Sequence, residues 1–280
     1  MQLIEIGDAR VVHLGPAESI SQAIELMEKH GFRHLPVVER GRVVGMVSDR
    51  DLLSAVSLLP ESAMDAPRPL MGAMPLAQIM SAPAITVEAE APLTAAAEIM
   101  FRENVRAVPL VYKERLAGIV TETDFLKCYL PDRSIPGSER WRGTIVREKM
   151  TLEVFTLAPT AHFADALRTM QTRKIRHIPI VENEKLAGIV SDHDLRKAVG
   201  GLAIALQNSG QQSRHHSEIV MADVMTRQVK TTDPSATLAQ VATIMVADRI
   251  GTLPVVESDR LVGIISESDL LRHFLKSEGG

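Results

Sequence analysis

The chain is short of cysteine and of aromatic residues. One of its 280 residues is a cysteine, Cys128, so no disulfide can close within the chain. A zinc site built from several cysteines is excluded for the same reason. Cys128 itself reads as a small apolar side chain on a helix. Phenylalanine, tryptophan and tyrosine together make up 3%, which argues against the stacked platforms that grip single-stranded nucleic acid. The formal net charge is −4, and no basic field marks nucleic acid or an anionic membrane as a partner. No stretch nears the roughly 18 consecutive apolar residues of a membrane span. The opening MQLIEIGDARVVHLG has no basic segment followed by a long apolar one. A soluble cytoplasmic protein is expected, with no nucleic-acid binding and no membrane insertion. Walker A, zincin and nucleophile-elbow patterns are missing, so no enzymatic activity and no catalytic residues are expected.

What is present is ordinary globular usage, 45% hydrophobic and 24% charged, in a length that suits about two domains. It is organised as a repeat. The heptapeptide GMVSDRD (45–51) returns as GIVTETD (118–124), GIVSDHD (188–194) and GIISESD (263–269). Asp51, Asp124, Asp194 and Asp269 lie 73, 70 and 75 residues apart. Upstream of each stands an apolar–proline–apolar block: HLPVV, AVPLV, HIPIV and TLPVV. Further upstream, residues at spacings of three and four mark one face of a helix. They are Ile20, Ala23, Leu26 and Met27; Leu93, Ala96, Ile99 and Met100; Phe163, Ala166, Thr169 and Met170; and Leu238, Val241, Ile244 and Met245.

Each unit thus reads as β-α-β-β-α. A short extended segment such as AITV (84–87) comes first. Pro16, Pro92, Pro159 and Pro234 lie near the start of the helix. Gly31 and Asn104 suit a left-handed C-cap; Lys174 and Arg249 stand there in units three and four. Two short strands and a second helix follow. The proline within the first of these strands predicts its first residue or a sheet edge. The expected domains are 1–56, 75–129, 145–199 and 219–275, joined by connectors 57–74, 130–144 and 200–218. A single unit of about 50 residues is too small to close a core. Pairing of units into two pseudo-twofold domains, 1–129 and 145–275, is therefore expected, an α/β (α+β) architecture.

The heptapeptide supports two readings. Ser or Thr followed three residues later by an acid is a helix capping box, and the acid suits the positive end of the helix dipole. Yet a glycine precedes the hydroxyl by three residues in every copy: Gly45, Gly118, Gly188 and Gly263. Glycine in a strand often admits the close approach of another backbone or a ligand. A helix start is also an anion site, and an ionised carboxylate accepts hydrogen bonds from a ribose diol.

Four phased copies of Gly–apolar–x–Ser/Thr–x–x–Asp resemble the CBS domain, named for cystathionine β-synthase, over nearly the whole chain. The resemblance implies tandem pairs, called Bateman modules, that bind adenosine-containing ligands in clefts between paired repeats. It assigns phosphate contact to Ser48, Thr121, Ser191 and Ser266, and ribose contact to Asp51, Asp124, Asp194 and Asp269. The residue three before the strand proline reaches phosphate in this family; here it is Arg33, Arg106, Arg176 and Gly251. A solvated strand start is the alternative reading of the three arginines. The next residue is His34, Ala107, His177 and Thr252, so repeats 1 and 3 are best equipped for a polyphosphate. Adenine is expected near Val12, Ile85, Phe155 and Lys230, and repeat 4 departs from the pattern at both Gly251 and Lys230.

The expectation is a stand-alone sensor of AMP, ADP or ATP, with no cofactor in the catalytic sense, a regulated partner protein and a possible homodimer. A ligand-independent interaction scaffold and an S-adenosylmethionine sensor are the alternatives. The acidic triplets DRD and DHD belong to the repeat rather than to a metal site, since no third carboxylate follows at EF-hand spacing. His215 and His216 read as a solvated pair. Trp141, beside Arg133, Arg140 and Arg142, reads as a docking residue between modules or toward a partner.

Overall fold

A computed structural model describes residues 1–57, 73–131, 142–198 and 219–278. Trp141, Arg133, Arg140, His215, His216 and most of the connectors lie outside the described residues. Repeat 1 holds helix α1 (Ile20–His30), strands β1 (His34–Glu39) and β2 (Arg42–Ser48) and helix α2 (Asp49–Ser57). Repeat 2 holds β3 (Val87–Glu88), α3 (Leu93–Glu103), β4 (Ala107–Tyr112), β5 (Arg115–Thr121) and α4 (Glu122–Leu126), and a 3-10 turn (Lys127–Tyr129) follows. Cys128 sits in that turn and is buried. Repeat 3 holds α5 (Phe163–Arg173), β6 (His177–Glu182), β7 (Lys185–Ser191) and α6 (192–198). Repeat 4 holds α7 (Met221–Val224), α8 (Leu238–Asp248), β8 (Thr252–Glu257), β9 (Arg260–Ser266) and α9 (Glu267–Glu278).

The expected order is found in every repeat, with the first strand shortened to one or two residues. It runs parallel to the middle strand at Leu14↔Val37, Val87↔Leu110, Leu157↔Ile180 and Thr232↔Val255. The middle strand is therefore not an edge, which corrects the expectation drawn from its proline. The reason is local. The carbonyl of Pro36 accepts from Leu14 N–H, so the proline nitrogen faces the same side, beyond the end of that short ladder. The missing donor costs nothing there. Pro179 and Pro254 carry the same bond, from Leu157 and Thr232.

The segment leading into each repeat is held by its neighbour. Leu3 N–H donates to Ala91 O and Leu76 N–H to Glu18 O. Val146 N–H donates to Ala236 O and Met221 N–H to Ala161 O. Each of these four leading residues is fully buried. Leu76, from the repeat 2 leader, completes the repeat 1 core of Leu14, Ile20, Ala23, Met27, Leu35, Val37, Val47 and Leu52. Pairing closes a core that one repeat leaves open. The helix faces follow the periodicity: the first, second and fourth positions of each predicted set are buried, and the third is half-buried.

The repeated glycines sit where these leaders cross the last strand. Met46 and Ser81 exchange two backbone hydrogen bonds, as do Ile119 and Asp8, Ile189 and Thr226, and Ile264 and Thr151. A Cβ on Gly45 would stand 3.1 Å from Ser81 O and 2.6 Å from Met80 Sδ. On Gly188 it would stand 3.0 Å from Thr226 O and 2.6 Å from Met225 Sδ. Of the two readings of that glycine, close approach of another backbone accounts for it.

The chain divides into two compact units, Met1–Thr121 and Glu122–Gly280. The division falls at Glu122 because α4 and the turn after it pack within the second unit. The rings of Phe125 and Phe274 lie 5.4 Å apart, and Tyr129 Oη donates to Leu270 O at 2.8 Å. Tyr129 Oη also lies 3.1 Å from His273 Nδ1. Burial pushes the Tyr129 hydroxyl pKa well up and the His273 pKa down; Lys149 and Lys276 add to the latter, against Glu148.

Pro92 is the N-cap of α3, whereas Pro16, Pro159 and Pro234 lie in the turn before their helices. At the other end, all four first helices stop on a left-handed residue: Gly31 (φ 70°), Asn104 (53°), Lys174 (55°) and Arg249 (54°). The cap geometry thus holds where the glycine cue was missing, at a cost for the two long side chains. Lys174→Gly and Arg249→Gly should each stabilise the protein by roughly 1 kcal/mol, the left-handed penalty of a residue with a Cβ. The check is the urea midpoint at unchanged slope; a fall in midpoint would contradict it.

Candidate functional site

Each last strand delivers its Ser or Thr to the start of a helix, and in repeats 1, 3 and 4 the aspartate three residues on turns back toward it. In repeat 1, Ser48 N–H and Oγ both donate to Asp51 Oδ2, at 2.7 and 2.6 Å. In repeat 3, Ser191 donates to Asp194 Oδ2 at 2.8 and 2.6 Å. In repeat 4, Ser266 donates to Asp269 Oδ2 at 2.9 and 2.7 Å. The capping box is therefore built. It spends one carboxylate oxygen and leaves the other, so the two readings of the heptapeptide differ only over Oδ1.

That second oxygen divides the repeats. Asp124 and Asp269 are each only 7% exposed. Their Oδ1 atoms take Lys127 Nζ at 2.6 Å and Arg272 NH1 at 3.3 Å, one helical turn on. Asp51 and Asp194 are partly exposed. Among the described residues, Oδ1 of Asp51 meets only a long contact from Ser81 Oγ, 3.4 Å. Oδ1 of Asp194 has no hydrogen-bond partner among the described residues. Ser81, on the repeat 2 leader, carries no motif of its own. The leader crossing at Met46 brings it there.

The residue after the hydroxyl faces the expected phosphate position. Asp49 N–H donates to Arg33 O, Asp192 N–H to Arg176 O and Glu267 N–H to Gly251 O. Arg176 Nε lies 3.6 Å from Asp192 Oδ2, with 12% of its side chain exposed. It is not the solvated strand start that the alternative reading required. Arg33 and Arg106 are half-buried. In repeat 4 the acid fills the space: a Cβ on Gly251 would stand 2.8 Å from Glu267 Oε2. An arginine there would require the Glu267 side chain to move, and repeat 4 has this carboxylate without the guanidinium that stands in the other three. His177 Nδ1 meets Thr252 Oγ1 at 2.9 Å, which joins the strand starts of repeats 3 and 4.

The motifs of repeats 2 and 4 also clasp each other inside the second unit. Thr123 Oγ1 donates to Glu267 Oε1 at 2.7 Å, and Ser268 Oγ to Glu122 Oε1 at 2.8 Å. The sequence carried this signal unread: the clasping motifs are TETD and SESD, whereas the more open ones are SDRD and SDHD.

Val12, Ile85, Phe155 and Lys230 occupy equivalent places, each two residues before the parallel bridge of the first strand. Ile85 is 38% exposed and Phe155 40%. The Phe155 ring carries the Arg173 guanidinium 4.3 Å above its centre. Lys230 is turned to Asp248 at 3.5 Å. Among the described residues no group of three or more His, Cys, Asp or Glu is arranged to hold a metal ion. No described helix is long and apolar enough to cross a membrane.

Comparison with known proteins matches the CBS domain four times, at residues 5–58, 76–131, 146–201 and 221–276. An uncharacterized protein of Methanocaldococcus jannaschii, MJ1225, is 29% identical over 277 residues, 95% of each chain. Its crystal structure, described as that of a proposed archaeal homologue of g-AMPK, superposes with a TM-score of 0.85 at 26% identity. That superposition covers 98% of this chain and 100% of that one. A 33.4 kDa uncharacterized protein from the ribosomal RNA operon of Thermofilum pendens is 24% identical over 100% of this chain and 94% of its own.

The buried pair in repeat 4 has a pH signature. Burial pushes the Asp269 carboxyl above the usual carboxylate range, and Glu122 pushes the same way; Ser266 and Arg272 pull against them. A carboxyl raised in the folded state stabilises fully below its unfolded pKa, about 3.9, and loses that contribution as pH rises through its folded value. Wild type should therefore lose stability relative to Asp269→Asn as the pH rises from about 4 toward neutrality. Urea unfolding of both proteins across that range is the check. A relative gain by wild type would mean that the fold favours the charged carboxylate.

Proposed function

Because the chain belongs to the CBS-domain family, we propose that it is a cytoplasmic regulatory protein that binds AMP, ADP or ATP at the motifs of repeats 1 and 3. The single observation behind this reading is the aspartate that holds its serine with one oxygen and leaves the other accessible, at Asp51 and Asp194. A ribose diol has two donors for that oxygen. The serine hydroxyl, now on the carboxylate, turns to the phosphate. The serine N–H keeps the carboxylate in place while it does so.

Arg33 and Arg176 supply a fork suited to phosphate, with His34 and His177 beside them. Ile85 and Phe155 offer apolar surface to adenine. Repeat 2 has Arg106, but Asp124 is buried and tied to Lys127. Repeat 4 has Glu267 in the space of the arginine, which repels phosphate. Thr121, Asp124, Ser266 and Asp269 are accordingly assigned weaker nucleotide binding, or none.

The reading is regulatory rather than enzymatic. The likeness of the whole chain to a proposed homologue of g-AMPK supports energy sensing, exerted on a partner protein by the monomer or a homodimer. A ligand does this only through unequal affinity for two conformations.

Calorimetric titration with AMP, ADP, ATP and S-adenosylmethionine tests the proposal. Binding of at least one adenine nucleotide is expected, and Asp194→Asn should remove one binding event while costing about 1 kcal/mol of cap stability. Failure of all three nucleotides to bind the folded chain would end it. Heat from S-adenosylmethionine alone would move the reading to that ligand.

A further inference from the structure

A cavity of about 360 Å³ opens in the first unit, lined by Val11, His13, Val38, Leu116 and Ala117, with Arg115 against Gly41. It lies at the hairpin turns, away from the Ser–Asp motifs, with Val11 and His13 on either side of Val12. Arg115 and Thr121 are opposite ends of β5, about 20 Å apart at the strand rise. The reading therefore goes beyond the nucleotide sites.

The turn residues show what is unusual there. Each hairpin turns on two left-handed residues: Arg40 and Gly41, Lys113 and Glu114, Asn183 and Glu184, Ser258 and Asp259. The second is acidic in three repeats, and two of those acids meet the first residue of the paired repeat's last strand. Arg42 meets Glu114 at 2.5 Å and Arg260 meets Glu184 at 3.1 Å. Arg115 is the residue placed to make the reciprocal pair in the first unit, but its counterpart is Gly41. The guanidinium lies 2.8–3.1 Å from where a Cβ on Gly41 would stand. The Arg115 side chain has no hydrogen bond or ion pair among the described residues. The strand start places a cation here and Gly41 carries no carboxylate to meet it, at the wall of the cavity.

We infer that this cavity binds a small organic carboxylate, with Arg115 taking the carboxylate and Val11, Val38 and Leu116 the apolar body. The planar guanidinium suits a carboxylate in two-point contact, and the volume is that of a small-ligand pocket. One guanidinium answers one negative charge, which fits a monoanion better than a phosphate dianion. His13 is the second polar group; its Nδ1 lies 3.3 Å from Val11 O, which leaves Nε2 uncommitted.

The test is ligand-observed NMR and calorimetry on the full chain with benzoate and hexanoate, and with benzyl alcohol and inorganic phosphate as controls. Saturable binding of at least one carboxylate at millimolar concentration is expected, with neither control binding comparably. Arg115→Gln should weaken it about tenfold or more. Gly41→Glu, which restores the carboxylate of the other turns, should abolish it. That variant is sterically reasonable because Glu114 and Glu184 hold the same left-handed turn position. Arg115→Gln should keep the wild-type melting curve, Gly41→Glu should melt slightly lower because its φ is left-handed, and both should keep the nucleotide titration, which shows that the fold and the nucleotide sites are intact. No binding of either carboxylate, binding indifferent to both substitutions, or equal binding of benzyl alcohol would overturn the inference. Phosphate binding that depends on Arg115, without carboxylate binding, would overturn it as well.

Discussion

Two backbone hydrogen bonds, made beside a glycine, hold this fold together four times over. At Met46 and Ser81, Ile119 and Asp8, Ile189 and Thr226, and Ile264 and Thr151, the leader of one repeat pairs with the last strand of its neighbour. The glycine just before each strand residue is what lets the backbones come so close. This exchange delivers Leu76 into the repeat 1 core and Leu3, Val146 and Met221 to equivalent buried places. It also sets Ser81 beside Asp51. A small sheet with one helix face cannot close alone, and the exchange makes the pair of repeats the folding unit.

The same local chemistry suits two ends, the helix cap and the proposed nucleotide site. A serine that caps a helix through its carboxylate partner fixes that carboxylate in place, and a fixed carboxylate with one open oxygen is a ligand group. Whether it stays open depends on the neighbouring charges. Lys127 and Arg272 close it in repeats 2 and 4, and the Thr123–Glu267 and Ser268–Glu122 clasp binds those two helix starts together. Repeats 1 and 3 leave it accessible. Four near-identical motifs thus divide into a clasped pair and a more open pair, with no change in the seven-residue pattern.

Much of this was legible in the residues. Four phased heptapeptides set the repeat, the three-four spacing set the helix faces, and the missing Arg at Gly251 marked repeat 4 as different. Three features were not. The mid-strand proline pointed to an edge because sequence does not show that the first strand's ladder ends before the proline nitrogen. The glycine left ligand and backbone approach equally open, since its partner lies about 35 residues away in sequence, or more than 100 for Gly118 and Gly263. The closure of Asp124 was hidden because Lys127 and Lys197 stand at the same offset from their aspartates, and only Lys127 pairs with its own. Position along a helix does not reveal which of two lysines turns inward.

The most direct measurement of the central claim is a crystal structure of the chain grown with AMP. The account predicts ribose hydroxyls on Oδ1 of Asp51 and Asp194, with the phosphate toward Ser48 and Arg33 or Ser191 and Arg176. Nucleotide bound on Asp124 and Asp269 instead, with both of those pairs vacant, would contradict it.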